Sequence, residues 1–455
     1  MLRRMLTVAL AMLTLAALMP AAAAGGPPQP EPEPEWFVDE SKLPFDPLPG
    51  FEDATLAWGV LEGAGYRMEV PADWNGRLVM WAHGFRGTGL ELTVDNHPLR
   101  DFLIPNGYAW AASSYSANDY NVSAGVKDTR LLVRKFRRMF GEPDLTYITG
   151  ASMGGHITGV SVEAYPRVYA GAMPICGVMG DFELFDYFLD FNVAAQQLAL
   201  GESYFPVPDP VEYIAVTSQQ IKAELEAVPG GWPVALNATG EGFKQLVELQ
   251  SGGDRPNFDE AWAFWNSVPE FGSGIPGNFL FDLGTGDGTL PGRPGVSVDN
   301  TDTVYQLDLD PALSPAEVEL NANIVRVAAD PFAREARGLS NVPPISGDIS
   351  MPVLSLHNLG DMFVPFHNEI VYANEVAAHG ASDLLVQRAI RGVGHCDFTP
   401  TELVTAFVDL VGWVEFGVKP AGDVVTDPAA VAAPDYGCRF TDFATGTHLL
   451  PAPCP

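Results

Sequence analysis

Ser152 lies at the centre of the pentapeptide Gly-Ala-Ser-Met-Gly, which occupies positions 150–154. The residues before it, Leu145–Thr149, are rich in β-branched and aromatic types and predict a buried strand, and the residues after it can begin a helix. A sharp turn between a strand and a helix leaves a serine hydroxyl exposed at its tip. The helix N-terminus also offers free N–H groups to a developing oxyanion. The pattern predicts nucleophilic catalysis by Ser152, although small residues also pack tight turns for structural reasons alone.

A serine hydroxyl needs a base beside it, and His395 has the most suitable position among the eight histidines. It follows the predicted strand Leu384–Ile390 on a glycine-containing loop, which can fold back over the edge of a sheet. His83 directly follows another predicted strand, where an oxyanion loop is expected rather than a base. His357 ends a further strand and is expected to support the site from behind. Surface or capping roles are expected for the remaining histidines, which are His97, His156, His367, His379 and His448.

A carboxylate must orient the base and stabilise its imidazolium form, and Asp361 is predicted to do so. It follows the predicted strand Val353–Leu356 within the segment Gly-Asp-Met-Phe-Val-Pro. An aspartate after a glycine is also a common turn or capping residue. The competing acids follow the predicted strand Ala170–Cys176 and are Asp181, Glu183 and Asp186.

The segment His83-Gly84-Phe85 follows the predicted strand Arg77–Ala82 and is the candidate oxyanion loop. Its glycine would lie where a substrate carbonyl oxygen binds. The backbone N–H groups of Phe85 and Met153 are then predicted to form the oxyanion hole. A tight turn that merely ends a strand would have the same sequence and is compatible with this role.

The elements that must position these residues alternate between strands and helices, which predicts a mostly parallel sheet with helices on both faces. An edge hairpin is predicted over Thr55–Val70, with a turn near Gly63 and Gly65. Further strands are predicted at Tyr108–Tyr115 and at the segments named above. Helices are predicted at Val126–Met139, after Ser152, at Asn368–His379 and at Thr401–Phe416.

The alternation stops between residues 181 and 350, where short helical patches lie between loops rich in proline and glycine. This segment predicts an inserted cap domain whose aromatic residues mostly form its own core. Trp262 and Trp265 are predicted to reach the substrate. The Gly- and Asp-rich stretch Phe281–Tyr305 lacks the spacing of a calcium loop and is expected to be a plain loop. The aromatic residues of the segment are Tyr187, Phe188, Phe191, Phe258, Trp262, Phe264, Trp265, Phe271, Phe279 and Phe281.

The motifs occur in the order oxyanion loop, serine, aspartate and histidine, and in this order they resemble the α/β-hydrolase superfamily. The likeness covers roughly residues 55–417. It implies an α/β fold with a sheet of about eight mostly parallel strands, helices on both faces and an inserted, mainly helical cap. It also implies a Ser152–His395–Asp361 triad. Cys396, directly after His395, is similar to the secreted tannase and feruloyl-esterase-like enzymes, whereas Ala151 stands where that group has its second cysteine.

Four cysteines allow three pairings. Cys438 and Cys454 enclose a short loop, so closing it costs little chain entropy, and a bridge between them is predicted. Cys176 and Cys396 are then left, and both are expected at the edge of the sheet where the active site forms, so a bridge between them is also predicted. Two buried free thiols are the alternative. A metal site is not expected, because the sequence contains no Cys-x-x-Cys or Cys/His cluster.

The ends of the chain predict an exported protein. Residues 1–24 combine a basic start, a short apolar run and small residues, which is typical of a signal peptide. A Pro-rich leader (25–50), a two-part core (51–180 and 351–418), the cap (181–350) and a disulfide-held tail (419–455) complete the predicted organisation. The net charge of −32 disfavours nucleic acid and anionic membranes as partners. A secreted or periplasmic location without a membrane anchor is expected.

These features together predict a secreted serine hydrolase that cleaves carboxylic esters without a cofactor. The aromatic cap and the acidic charge favour a neutral, apolar or aromatic ester, either a small molecule or a polymer such as a polyester. A peptidase of the same fold is the first alternative. A hydrolase-fold binding protein with an idle triad is the second, and it belongs to a different functional class.

Overall fold

A computed structural model describes residues 35–267, 273–290, 295–335, 339, 342–444 and 446–455. The predicted signal peptide, the beginning of the leader and the cap residue Phe271 lie outside these ranges. Among the described residues, no helix combines the length and the apolar composition that crossing a membrane requires.

Eight strands form a single sheet in the order β10-β9-β8-β7-β4-β6-β3-β2, and β1 pairs separately with β5. The six strands from β10 to β6 run parallel to one another, whereas β3 and β2 add an antiparallel hairpin beside β6 at one edge. The mostly parallel eight-stranded sheet expected from the sequence is therefore confirmed. The strands are β1 (Phe37–Val38), β2 (Thr55–Leu61), β3 (Ala64–Val70), β4 (Arg77–Ala82), β5 (Glu91–Leu92), β6 (Ala109–Ser113), β7 (Leu145–Ala151), β8 (Gly171–Ile175), β9 (Val353–Asn358) and β10 (Leu385–Ile390).

Helices cover both faces of this sheet. The helices of the described residues are α1 (Arg100–Leu103), α2 (Val122–Phe140), α3 (Met153–Ala164), α4 (Glu183–Leu200), α5 (Pro210–Glu212), α6 (Ser218–Leu225), α7 (Ala238–Ser251), α8 (Phe258–Trp265), α9 (Phe279–Leu283), α10 (Pro315–Asn323), α11 (His367–Ala378), α12 (Pro400–Phe416) and α13 (Pro428–Val431).

The central strands are buried on both sides. Successive side chains of a strand point to opposite faces of the sheet, so each strand contributes to the packing on both faces. In β4, Leu78 and Met80 pack in the apolar cluster beneath α2, α3 and α11. Val79 points the other way and packs with α1 and α12. This explains why the strand sequences are continuous apolar runs rather than alternating ones.

The segment predicted as a cap contains α4 to α10 within its described residues. Its aromatic and aliphatic side chains form a separate apolar cluster, which includes Trp262 and Trp265. The same cluster also takes in Met362 and Val393, which lie on the loops after β9 and β10. The insertion is therefore packed directly against the two loops that carry Asp361 and His395.

The carboxyl ends of the central strands lie at one edge of the sheet. Ala82 is in register with Gly150, Ala151 with Ile175, and Ile175 with Leu356. The loops that follow β4, β7, β8, β9 and β10 consequently leave the sheet side by side, which is where ligands bind in open parallel sheets.

Candidate active site

Ser152 occupies the turn between β7 and α3 in a strained backbone conformation, with φ of 59° and ψ of −124°. Glycine is required on both sides of Ser152, at positions 150 and 154, because other parts of the backbone come too close there for a side chain. A Cβ atom on Gly154 would lie 2.0 Å from the carbonyl oxygen of Ala82, and one on Gly150 would lie 2.1 Å from that of Gly154. The Ser152 N–H donates to Ile175 O at 3.0 Å, which fixes the turn to the end of β8. The serine is thus held at the tip of a turn that only a narrow set of sequences can form.

His395 and Asp361 are brought together as expected for a base and its orienting acid. His395 Nδ1 donates to Asp361 Oδ2 at 2.5 Å. The other oxygen, Oδ1, accepts the backbone N–H groups of Phe363 and Val364, each at 3.0 Å. Asp361 is fully buried, whereas the His395 side chain is 18% exposed. The carboxylate therefore has three donors, and the imidazole keeps one edge open to a substrate.

The Cys176–Cys396 disulfide joins the loop after β8, which contacts Ser152, to the loop that carries His395. The Cα atoms of the two cysteines are 5.3 Å apart. Cys176 follows β8 directly, and Val178 N–H donates to Ser152 O at 3.3 Å. In the part of the chain that the structure describes, no hydrogen bond joins Ser152 Oγ to His395. Catalytic hydrogen bonds of this kind often form fully only when substrate binds.

The loop after β4 packs tightly against Ser152. A Cβ atom on Gly84 would lie 3.0 Å from Ser152 Cβ and 3.2 Å from Ala151 O. The described residues provide no hydrogen-bond acceptor for the backbone N–H groups of Phe85 and Met153. Two free N–H groups beside Ser152 could accommodate a substrate oxyanion.

His83 supports this loop and does not compete as the base. Its ring stacks on Tyr115 with the centroids 4.0 Å apart, and Tyr115 OH donates to His83 O at 3.0 Å. Burial, together with the nearby charge of Arg86, lowers the pKa of His83 to about 3, so the imidazole stays neutral.

The competing acids serve other parts of the structure. Asp181 accepts the backbone N–H of Ile345 at 2.9 Å, and Asp186 pairs with Arg334. Burial raises the pKa of both carboxyls to about 7. Neither hydrogen-bonds to His395, whose carboxylate partner is Asp361.

Three of the histidines expected at the surface are buried instead. His97 Nε2 lies 3.0 Å from Thr149 Oγ1. The two ring nitrogens of His156 contact Tyr120 OH and Pro343 O. His448 lies between Asp397 and Glu402. A surface role is therefore wrong for these three, because their partners come from distant segments of the chain. His97 Nδ1 also accepts the Leu99 N–H at 3.0 Å, which fits the capping role expected as the alternative.

Trp262 and Trp265 lie in the core of the insertion and are at most 2% exposed. Trp262 Nε1 donates to Pro233 O at 2.9 Å. Trp265 Nε1 donates to Gly360 O at 3.0 Å and to Val393 O at 2.7 Å, so it bridges the loops of Asp361 and His395. Because both indoles are buried, the prediction that they line the substrate pocket is wrong.

Phe363 is an aromatic neighbour of His395, and Phe188 packs against Phe363. The Phe363 ring meets His395 edge-on at 5.2 Å between centroids, and Phe188 stacks on Phe363 at 6.3 Å. Phe188 also lines a cavity of about 100 Å³ together with Phe185 and Phe205. Phe363 stands two residues after Asp361, and this proximity is the sequence signal that could have identified it.

The C-terminal segment also reaches the catalytic loop, which the sequence did not indicate. Val393 N–H donates to Leu449 O at 3.0 Å. Leu449 N–H in turn donates to Asp397 Oδ2 at 2.7 Å. The loop of His395 is therefore flanked by the insertion on one side and by the tail on the other. The tail contains the second expected disulfide, Cys438–Cys454.

Comparisons with known proteins give distant similarities, and no protein-family model matches the chain. An o-phthalyl amidase from Xanthobacter agilis is 22% identical over 400 residues, which is 79% of this chain and 87% of the relative. Among solved structures, feruloyl esterase B from Aspergillus oryzae aligns with a TM-score of 0.41 and 16% identity over 80% of this chain and 81% of that one. An acylaminoacyl peptidase from Pyrococcus horikoshii aligns with a TM-score of 0.38 and 9% identity over 79% and 41% of the respective chains.

Proposed function

We propose that this chain, which has the α/β-hydrolase fold, is a serine hydrolase that cleaves carboxylic esters. The observation that carries the proposal is the pairing of His395 with a buried Asp361 beside the strained Ser152 turn. A buried carboxylate with three donors holds an imidazole in one tautomer, with Nε2 as the proton acceptor. That arrangement is what a serine nucleophile requires of its base.

The reaction follows from this geometry. Ser152 Oγ attacks the ester carbonyl and passes its proton to His395 Nε2, while Asp361 stabilises the imidazolium. The N–H groups of Phe85 and Met153 bind the oxyanion of the tetrahedral intermediate. His395 then protonates the leaving alcohol, and a water molecule activated by the same imidazole releases the acid from Ser152.

The surroundings of the site favour an apolar or aromatic ester. The rings of Phe363 and Phe188 extend from His395 toward an apolar cavity, and Phe85 is 44% exposed beside the nucleophile. The net charge of −32 opposes anionic substrates. An insoluble polyester remains a candidate substrate, because the exposed ring of Phe85 can contact a surface.

Amide hydrolysis is the second candidate, and the o-phthalyl amidase similarity favours it. The same triad serves both bonds, since the acyl-enzyme is common to ester and amide cleavage. A p-nitrophenyl ester and the p-nitroanilide of the same acid separate the two functions. We expect kcat/KM for the ester to exceed kcat/KM for the anilide by a larger factor than the difference in intrinsic reactivity between the two bonds. A preference for the anilide would assign the protein to the amidases or peptidases.

A fluorophosphonate probe tests the nucleophile directly. We expect one phosphonylated residue per chain, with Ser152 as the modified site in peptide mapping. Heat-denatured protein is the control, because a serine without its base and oxyanion hole does not react. A folded protein that stays unlabelled would instead be a binding protein with an idle triad.

We also propose that the protein is exported from the cytoplasm. The two disulfides and the predicted signal peptide at 1–24 support a secreted or periplasmic enzyme. The mass of the mature protein recovered from outside the cytoplasm should correspond to a chain that begins near Gly25. A full-length chain retained in the cytoplasm would contradict the export proposal.

A further inference from the structure

We propose that reduction of the Cys176–Cys396 disulfide converts the catalytic base into a ligand of a site for a thiophilic divalent cation such as Zn²⁺. The cation would then inhibit the reduced enzyme and leave the oxidised enzyme unaffected. The effect on hydrolysis rests on the proposed function, whereas the binding of the cation does not.

The three ligand atoms are already close together. One atom each of Cys176, His395 and Cys396 lies within 4.8 Å of the other two. His395 Nε2 is 3.5 Å from Cys396 Sγ. In a tetrahedral site with Zn–S of about 2.3 Å and Zn–N of about 2.0–2.1 Å, a nitrogen and a sulfur ligand are about 3.5 Å apart. The histidine and one cysteine therefore already have the separation of zinc ligands.

The orientation of the imidazole also fits. A metal-bound histidine usually donates its other ring N–H to a carboxylate, which fixes the tautomer and makes the free nitrogen a better ligand. His395 Nδ1 makes this bond to Asp361 Oδ2, so the nitrogen that faces the sulfur is the unprotonated Nε2. The contact that prepares His395 as a base thus prepares it equally as a ligand.

The backbone around both cysteines is held by bonds that do not involve sulfur. Cys176 N–H donates to Leu356 O at 2.8 Å at the end of β9. On the other loop, Asp397 N–H donates to Asn358 Oδ1 at 2.9 Å, and Asn358 Nδ2 donates to Asp397 O at 2.8 Å. Opening the disulfide therefore leaves the two thiols facing each other, and their side chains have only to rotate apart to admit a cation.

A phosphine is the reductant that opens the disulfide. A trialkylphosphine attacks one sulfur and breaks the S–S bond, and water then converts the thiophosphonium to phosphine oxide and leaves two thiols. The cation binds the two sulfurs as thiolates, which releases two protons, and takes the His395 Nε2 lone pair as its third ligand. A water molecule completes the tetrahedron. Nε2 can then no longer accept the proton of Ser152.

The experiment compares oxidised protein with protein that has been reduced and freed of phosphine under argon. Co²⁺ is the probe, because its bonds to thiolates give a strong charge-transfer absorption that does not depend on enzyme activity. We expect one equivalent of Co²⁺ to produce this absorption in the reduced protein and none in the oxidised protein. One equivalent of Zn²⁺ should abolish ester hydrolysis by the reduced protein, and a chelator should restore it.

A Cys176→Ser/Cys396→Ser double variant is the matched control, since it keeps the tail cysteines and should give no thiolate–cobalt absorption after reduction. Equal absorption in this variant would place the cation at Cys438 and Cys454 and overturn the proposal. Reduced wild-type protein that binds no Co²⁺, or that loses its near-ultraviolet circular dichroism before the cation is added, would overturn it as well. Cobalt binding by a protein without esterase activity would instead contradict only the proposed function.

Discussion

At the scale of single residues, three residues with strained backbone lie at the candidate site around Ser152. Ser152, Cys176 and Cys396 all have positive φ, at 59°, 44° and 57°. This region is costly for residues other than glycine and persists only where the surroundings enforce it. Cys176 and Cys396 are bridged, and Ile175, which precedes Cys176, accepts the Ser152 N–H. The three strained residues therefore lie on loops that contact one another at the candidate site.

Ser152→Ala should leave the fold intact and reduce kcat for a p-nitrophenyl ester by about 10⁴–10⁶, because the acyl-enzyme can no longer form. The measurement is steady-state hydrolysis of purified protein, with circular dichroism as the control for folding. Turnover close to the wild-type value by a folded variant would show that another residue is the nucleophile.

Asp361→Asn should reduce kcat by about 10⁴, because the amide would hold His395 in the wrong tautomer. Asp186→Asn is the matched control, since Asp186 is also a buried carboxyl but pairs with Arg334 rather than with a histidine. The control should retain activity. If the control were the crippled enzyme, the orienting acid would follow β8 rather than β9.

At the scale of elements, α8 connects the insertion to the loops of Asp361 and His395 and to the tail. Its last residue, Trp265, donates to Gly360 O and Val393 O. Next to its first turn, Asn257 donates to Leu450 O at 2.8 Å and accepts from the N–H of Ala452 at 3.0 Å. One short helix thus connects segments that are far apart in sequence, and we expect Trp265 to act as a positioning residue for the proposed site.

Trp265→Phe keeps an aromatic ring in the core but removes both hydrogen bonds to the catalytic loops. We expect kcat to fall by about tenfold or more with little change in KM, because a small displacement of a catalytic group is costly. Trp262→Phe is the control, since its indole donates only to Pro233 O within the insertion. Equal losses of kcat in both variants would mean that the indoles act through the general stability of the insertion.

Local patterns in the sequence predicted the elements best. β4 has the predicted bounds Arg77–Ala82, because a buried strand is a continuous apolar run. In the insertion, the sequence pattern predicts a helical patch over Asn192–Leu200, whereas α4 already begins at Glu183. The earlier part is missed because the apolar residues of α4 almost encircle the helix and show little periodicity. The helix α10 went unpredicted although Ser314 and Glu317 form a capping box, which is a signal that the sequence does contain.

The order of motifs along the chain predicted which residues face one another at the sheet edge. It could not predict the bonds of Trp265 or of His448, because their partners are separated from them by long stretches of chain. Hydrogen bonds of this kind depend on how the insertion and the tail pack, and residue spacing carries no information about that. The assignment of Trp262 and Trp265 to the substrate pocket failed for the same reason.

At the scale of the whole molecule, His448 ties the tail to the core. Its Nε2 is 2.9 Å from Glu402 Oε1 on α12, and its Nδ1 is 3.0 Å from Asp397 O. Burial opposes the charged form, but the hydrogen bonds and charges of Asp397 and Glu402 outweigh it and raise the pKa of His448 to about 10. The imidazolium is therefore the form that the folded state stabilises at neutral pH.

A raised histidine pKa gives stability that is complete below the unfolded value of 6.5 and is lost as the pH rises through about 10. The difference in unfolding free energy between the wild type and His448→Gln should accordingly shrink between pH 7 and pH 10. Urea unfolding of both proteins at each pH measures it, and the subtraction cancels groups that titrate in both. A difference that stays constant over this range would show that His448 is neutral in the folded state.

The bonds of Leu449 and Ala452 also bear on when the proposed hydrolase would become active during biosynthesis. A chain emerges from the ribosome or from an export channel with its N-terminus first, so Ser152, Asp361 and His395 all appear before the segment that supports them. Until residues 448–453 emerge, Val393 lacks its acceptor and Asn257 lacks two of its partners. On the proposed mechanism, a chain in transit holds Ser152, Asp361 and His395 without the support that the tail gives the folded loop, so we expect hydrolysis to begin only after this segment has emerged.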